Sequence, residues 1–226
     1  MIITIDGPAG SGKSTAARKL AARLEIPYLD TGAMYRAVAL KAIREGVDLE
    51  DAEALTRVAR AADIRLDCGP TFTRVILDGH DVSEAIRTME VNEATSYVAR
   101  NPQIRQILIA RQRQIARELG SVVTEGRDQG SVVFPEADVK FVLDASIEVR
   151  ARRRYVELEA DGERVDFDRV LENLRVRDGN DSVQWAPLLA PGAAVCIDTT
   201  NISLAEVVDR LYQEVQQRRG RTPQAP

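Results

Sequence analysis

Short β-branched apolar runs alternate along this chain with segments whose apolar residues recur every three or four positions. IITID (2–6) predicts a buried strand. The glycine-rich GPAGSGK follows as a turn, and STAARKLAARLEI then puts Ala17, Leu20, Ala21 and Leu24 on one helical face. YLD (28–30) predicts a second short strand. AMYRAVALKAIREG (33–46) predicts a helix stopped by Gly46.

The pattern then changes. A helix over AEALTRVARAA (52–62) leads into DIRLD, TRVIL and HDVSE, which alternate with a period of two. Asp78-Gly79 between the last two is a hairpin signal, so this stretch predicts a small antiparallel insertion. Helices are expected over 88–100 and 103–119, divided near Asn101-Pro102. SVVTEG (121–126) and VKFVLDA (139–145) return to the buried-strand pattern. SIEVRARRRYVELEADG (146–162) and DFDRVLENLRVRD (166–178) return to the helical one. AAVCID (193–198) predicts a last strand, SLAEVVDRLYQEVQQR (203–218) a closing amphipathic helix, and 220–226 a flexible tail. There is no internal repeat and no linker. Strand and helix alternating around an antiparallel insertion predict an α/β fold with a parallel sheet.

Composition narrows the function. The 226 residues suffice for one domain with insertions or two small ones, and 44% hydrophobic with 29% charged residues is ordinary for a globular chain. A net charge of −4 supplies no global positive field, so neither nucleic acid nor an anionic membrane surface is an expected partner. Among the 31 basic residues the lysines are only Lys13, Lys19, Lys41 and Lys140. That bias reflects either codon usage or a surface that grips phosphates with guanidinium forks. Cys68 and Cys196 have no C-x-x-C spacing and read as reduced, buried thiols of a cytoplasmic protein. His80 is the only histidine, which argues against a histidine metal site or a Ser-His-Asp triad. No export signal or 18-residue apolar span is visible.

The chemistry is carried by Gly7, Pro8, Ala9, Gly10, Ser11, Gly12, Lys13 and Ser14, with Thr15 following, which fit G-x-x-x-x-G-K-[ST] between a strand and a helix. Glycines let successive backbone N–H groups turn around a phosphate oxygen, and the helix adds its positive end. Lys13 is expected to bridge the β- and γ-phosphates of ATP, and the Ser14 hydroxyl to ligate Mg²⁺. A glycine-rich turn that binds nothing is the bland alternative. The absence of an N-K-x-D guanine reader speaks against a GTPase switch, and the length suits a small kinase rather than a motor-type ATPase.

The acceptor is sought at the carboxyl ends of other strands. Thr31 and Arg36 in DTGAMYR follow one such strand, although Arg36 could equally be an exposed helix residue. Arg127 and Asp128 in EGRDQGSVVFP follow another. An arginine there suits a phosphate bidentately, and an aspartate can accept from an exocyclic amine. Asp30 and Asp144, at strand ends, are the candidate carboxylates on the Mg²⁺ side.

GPAGSGKST, DTGAMYR and GRDQGSVVFPEADVKFVLDAS, in this order and spacing, resemble the bacterial cytidylate kinase family, and the likeness runs to about residue 215. The resemblance implies a P-loop kinase fold: a central parallel five-stranded sheet flanked by helices, an antiparallel insertion in the monophosphate-binding region and a helical lid. It implies one kinase domain over 1–220, with a core of 1–33, 102–149 and 190–218, an insertion over about 34–101 and a lid over about 150–185. The implied reaction moves the γ-phosphoryl group of ATP to CMP or dCMP. By the same resemblance Thr31, Arg36 and Arg127 surround the acceptor phosphate, and Ser96 and Arg105 reach the cytosine ring with Asp128 on its amino edge. Arg150, Arg153 and Arg154 belong to the lid over the triphosphate; a solvated helix face is the alternative for that run.

RDGNDSVQWAPL (177–188) corresponds to a family segment that usually runs R-D-x-x-D-x-x-R-x-x-x-P-L. Arg177, Asp178 and Asp181 match; the resemblance implies that Arg177 and Asp181 serve the acceptor's sugar and phosphate and that the later arginine of the pattern reaches toward the base. Gln184 stands where the later arginine is usual, and Pro187-Leu188 arrives one residue early. Trp185 either fills the space this leaves or packs in the core. A monomer is expected. The rival functions are a P-loop kinase for another monophosphate or small alcohol, and a nucleotide switch without transfer activity.

Overall fold

The computed structural model describes residues 1–160, 162 and 165–221, and the side chains of all of these except Asn180, Asp181 and Arg221. The expected tail lies, from residue 222 onward, outside the described residues. In chain order the elements are β1 (Ile2–Asp6), α1 (Lys13–Leu24), β2 (Tyr28–Leu29), α2 (Thr31–Arg44), α3 (Ala52–Ala61), β3 (Ile64–Cys68), β4 (Thr73–Leu77) and β5 (His80–Asp81). Then come α4 (Met89–Arg100), α5 (Pro102–Leu119), β6 (Val122–Glu125), β7 (Val139–Asp144), α6 (Ile147–Ala160), α7 (Phe167–Trp185), β8 (Val195–Asp198) and α8 (Leu204–Arg221). The central sheet is five-stranded and parallel, in the order β2-β6-β1-β7-β8, and a separate three-stranded sheet has the order β3-β4-β5. These are the two sheets the sequence leads one to expect.

The chain forms two compact units, Met1–Glu25 with Val123–Pro226, and Ile26–Val122. In the first, β1 runs parallel to β7 with Ile3 opposite Val139 and Ile5 opposite Phe141, and β7 runs parallel to β8. Ile3, Ile5, Phe141 and Leu143 are fully buried, which is why these strands read as continuous apolar runs instead of alternating ones. Trp185 packs in the core with Val142 and Leu188.

The second unit closes around its own apolar core. Met34, Ala37 and Val38 of α2 meet Leu55 of α3, Leu77 of β4, Val98 of α4 and Ile104 and Leu108 of α5. Each such side chain contributes about 1.5–3 kcal/mol on burial. Because Ile104 and Leu108 belong to this core, α5 goes with the second unit, whose bounds are wider than the 34–101 insertion. Caps set the helix starts: Asp51 accepts from Glu53 N and Ala54 N ahead of α3, and Asn101 from Gln103 N and Ile104 N ahead of α5. Asp78 and Gly79 have φ of 51° and 81°, the left-handed pair that a tight hairpin between β4 and β5 requires.

Four features differ from expectation. HDVSE pairs only through His80 and Asp81; the chain then turns through Ala85–Arg87 to bury Ile86 fully. The helix expected to end at 178 continues to Trp185, because Gly179 costs only about 1 kcal/mol and the buried Trp185 secures the last turn. Gln129–Val133 forms a π-helical turn that no periodicity announces. Cys196 is exposed instead of buried, and Cys68 is half-buried. Burial pushes the Cys68 thiol up to about 11, leaving it unreactive.

Candidate active site

The Gly7–Gly12 loop lies where the sequence placed it, between β1 and α1, and Lys13 and Ser14 open the helix. Gly7 has φ of +134°, and a Cβ there would sit 2.1 Å from the Leu143 carbonyl oxygen, so only glycine fits. Gly12, left-handed at φ 89°, caps α1. The loop folds on itself: Lys13 Nζ donates to Pro8 O at 2.6 Å and Ser11 Oγ to the same oxygen at 3.0 Å. Burial lowers the Lys13 ammonium to about 8; the carboxylates of Glu125 and Asp6 oppose that shift, and the cations of Arg127 and Arg177 reinforce it. Four groups from three segments therefore act on one ammonium. Lys13 is thus a buried cation within a cluster of both signs, the kind of perturbed group that marks a functional site.

Ser14 Oγ donates to Glu125 Oε1 at 2.9 Å. Glu125, at the end of β6, was not among the residues singled out from the sequence, although a carboxylate at a strand end is the same signal that drew attention to Asp30 and Asp144. Asp144 Oδ1 accepts from Ala145 N, outside this pair. Asp30 caps α2 by accepting from Ala33 N and holds Arg36 Nη2 through both oxygens, at 2.9 and 3.1 Å. The carboxylate that meets the Ser14 hydroxyl is that of Glu125.

Arg127 follows Glu125 and Gly126 and is half-buried; Asp128 is buried and opens the π-helical turn, its carbonyl accepting from Val132 N and Val133 N. Asp6 reaches this turn from the end of β1. It accepts from Gln129 N at 2.7 Å and Gly130 N at 2.8 Å.

The three arginines of α6 expected over the triphosphate divide. Arg150 is buried and its guanidinium is engaged throughout: Nε with Ala145 O, Nη1 with Ala9 O, and both terminal nitrogens with the Asp178 carboxylate at 3.1 and 2.6 Å. It is a strut between the phosphate loop and α7, not a residue on a solvated face. Arg153 donates to Thr199 Oγ1 and O, and Thr199 Oγ1 in turn donates to Ser11 O. Arg154 is exposed beside Glu157. Arg177 is exposed on α7, close enough to lower Lys13, while the Asp181 side chain lies outside the described residues. Gln184 O accepts from Ser131 Oγ at 2.7 Å. Trp185 packs in the core, which settles its alternative readings.

In the second unit Thr31 is buried at the start of α2, and Arg36 turns back over the same helix end. A Cβ on Gly32 would lie 3.0 Å from Arg36 Nη1, so glycine makes room for this return. Ser96 is on α4, with Oγ donating to Glu93 O, and Arg105 is half-buried in the first turn of α5.

A family model described as cytidylate kinase matches residues 3–217. A cytidylate kinase of Caldanaerobacter subterraneus subsp. tengcongensis is 50% identical over 214 residues, covering 94% of this chain and 93% of that protein. A bifunctional pantoate ligase/cytidylate kinase of a Synechococcus species is 45% identical over 226 residues; the match covers 97% of this chain and 42% of that protein. Among solved structures, a shikimate kinase from Bacteroides thetaiotaomicron has a similar fold, with a TM-score of 0.53 at 11% identity, covering 96% of this chain and 98% of that one.

Proposed function

The chain belongs to the cytidylate kinase family, and we infer that it transfers the γ-phosphoryl group of ATP to CMP or dCMP, giving ADP and the diphosphate. The observation that carries this reading is the buried Lys13 in its closed glycine loop, acted on by Glu125, Asp6, Arg127 and Arg177. Phosphoryl transfer needs alignment and neutralisation of charge more than covalent help. The acceptor oxygen is already anionic, so a chain with His80 as its only histidine lacks nothing for the reaction.

In this reading the loop's N–H groups take the ATP phosphates and Lys13 leaves Pro8 O for the β- and γ-phosphates. Ser14 and Glu125 would hold Mg²⁺. Two protein oxygens suit an ion that keeps most of its waters and takes the rest of its ligands from phosphates, and among the described residues no cluster of three acidic, cysteine or histidine side chains forms a separate cage. The ion supplies charge neutralisation between phosphates. Arg127 is assigned to the acceptor phosphate, as are Thr31 and Arg36, for which a guanidinium folded over a helix N-terminus is apt. Ser96, Arg105 and Asp128 are assigned to the base, with Gln184 in the place of an arginine that reaches toward it, Arg177 and Asp181 to the sugar and phosphate, and Arg154 to the triphosphate, with Arg150 and Arg153 supporting the loop. Free nucleotides are the proposed partners and a cytoplasmic monomer the proposed working form.

A coupled assay of ADP release with CMP, dCMP, UMP and AMP tests the assignment. CMP and dCMP are expected to turn over fastest. Faster turnover with AMP, or ATP binding without acceptor-stimulated ADP release, would overturn it.

A further inference from the structure

Asp6 has no place in the phosphate-loop pattern, yet it is fully buried at the end of β1. Each of its carboxylate oxygens accepts one backbone N–H, Oδ1 from Gln129 and Oδ2 from Gly130. Those are the first two residues of the π-helical turn, directly after Arg127 and Asp128. Burial pushes the Asp6 carboxyl up to about 6, the two backbone bonds and Lys13 opposing the shift and the neighbouring Asp128 adding to it. A side chain kept only for packing would not carry this cost. The turn is also held at Gln129, whose Oε1 accepts from Thr124 Oγ1 at 3.1 Å, and at Ser131, which donates to Gln184 O. Gly130 lies hard against β1: a Cβ there would be 2.7 Å from Thr4 Oγ1, 3.2 Å from Asp6 Oδ2 and 3.3 Å from Lys140 Cδ.

We propose that Asp6 and Gly130 together form a seat on β1 that sets the position of Arg127 and Asp128, making both positioning residues for the acceptor nucleotide. Asp6 acts through the backbone of the turn and touches no substrate. Its own main chain enters the phosphate loop at Gly7, so one residue registers the donor loop and the acceptor turn against the same strand. The inference rests on the assignment of Arg127 and Asp128 to the acceptor.

Asp6→Asn keeps the shape but offers only one acceptor oxygen to two N–H donors. With ATP and CMP varied separately, kcat/KM for CMP is expected to fall about 100-fold, the loss typical of a reacting group misplaced by an ångström. The dissociation constant for ATP changes by far less than kcat/KM for CMP, since Asp6 reaches Lys13 only through its charge, and the melting temperature does not fall, since a buried charge has been removed. A role in stability alone would lower the melting temperature and leave CMP kinetics intact. Gly130→Ala reaches the same turn without touching the carboxylate and is expected to reproduce the CMP defect. Thr4→Ala removes the nearest obstructing atom; alone it leaves turnover unchanged, and combined with Gly130→Ala it recovers at least about one-tenth of the lost activity. Wild-type CMP kinetics in Asp6→Asn, a loss confined to ATP, or a double variant no better than Gly130→Ala would each overturn the seat. A wild-type protein that does not phosphorylate CMP would instead defeat the functional assignment. Should Asp6→Asn not fold, the Gly130 pair decides.

Discussion

The two units differ in what they bury beside their apolar cores. The Ile26–Val122 unit is filled with aliphatic side chains from α2, α3, α4 and α5. The other unit, around the phosphate loop, buries Asp6, Lys13, Asp128 and Arg150. Its charges are held by backbone groups: Lys13 by Pro8 O, Asp6 by two N–H groups, Arg150 by Ala9 O and Ala145 O as well as by Asp178. Buried charge of this kind gives little net stability, so beside its packing this unit holds an electrostatic arrangement that the aliphatic unit lacks.

The contrast is broken most severely at Lys13. Lys13→Ala is expected to cut CMP-dependent ADP release by about 10²–10³-fold while the melting temperature holds or rises. A protein that unfolded with this change would make Lys13 a structural residue. Arg127→Ala should cost about 3 kcal/mol of transition-state stabilisation, read as a fall in kcat as well as in kcat/KM for CMP; a slight change in KM alone would remove Arg127 from the reacting centre. The opposite behaviour is expected at Leu108, fully buried in the aliphatic unit. Leu108→Ala should lose about 2–5 kcal/mol in urea denaturation, with kcat little changed in protein that remains folded.

Titration sharpens the same comparison. Asp6 binds its proton in the folded chain up to a pH of about 6 against 3.8 ordinarily, so its contribution to stability is full below pH 3.8 and is lost as pH rises to about 6. Lys13 is lowered from 10.5 to about 8; between those values the unfolded chain holds more protons, and stability rises with pH. A bound triphosphate favours the charged ammonium. Calorimetry at pH 8 in buffers of different ionisation enthalpy should therefore show uptake of about half a proton with ATP. No uptake would mean that Lys13 does not meet the phosphates.

The aliphatic unit also buries a polar side chain that the packing does not satisfy. Gln112 of α5 is fully buried, and neither its amide nitrogen nor its oxygen has a hydrogen-bond partner. Gln112→Met, of similar shape, is expected to raise stability by about 1–2 kcal/mol. The smallest effect is expected at Gln184→Arg, a change of a few-fold in CMP affinity or base preference with ATP binding unaltered; altered ATP binding would place Gln184 on the donor side.

What was legible in the sequence was what is local in it. The glycine loop, the Asp78-Gly79 hairpin and the Asn101-Pro102 break each depend on a few adjacent residues whose backbone demands are strict, and all three lie where expected. The partnerships that give the site its field are not local. Nothing in VRARRR distinguishes Arg150, bound to Ala9 and to Asp178, from Arg154, exposed beside a glutamate on its own helix. Glu125 takes its meaning from Ser14, and Asp6 from a turn far along the chain, with a π-helical geometry that leaves no periodic trace.

Trp185 ends α7, the helix that also bears Asp178 and Arg177, and it is the only tryptophan in the chain. Its indole is buried with Val142 and Leu188. Light absorbed selectively by that one ring thus returns a signal from the C-terminal end of α7 alone. Any rearrangement of α7 that loosens this end is written into the wavelength and quenching of a single intrinsic fluorophore, an optical gauge of that helix that needs no label.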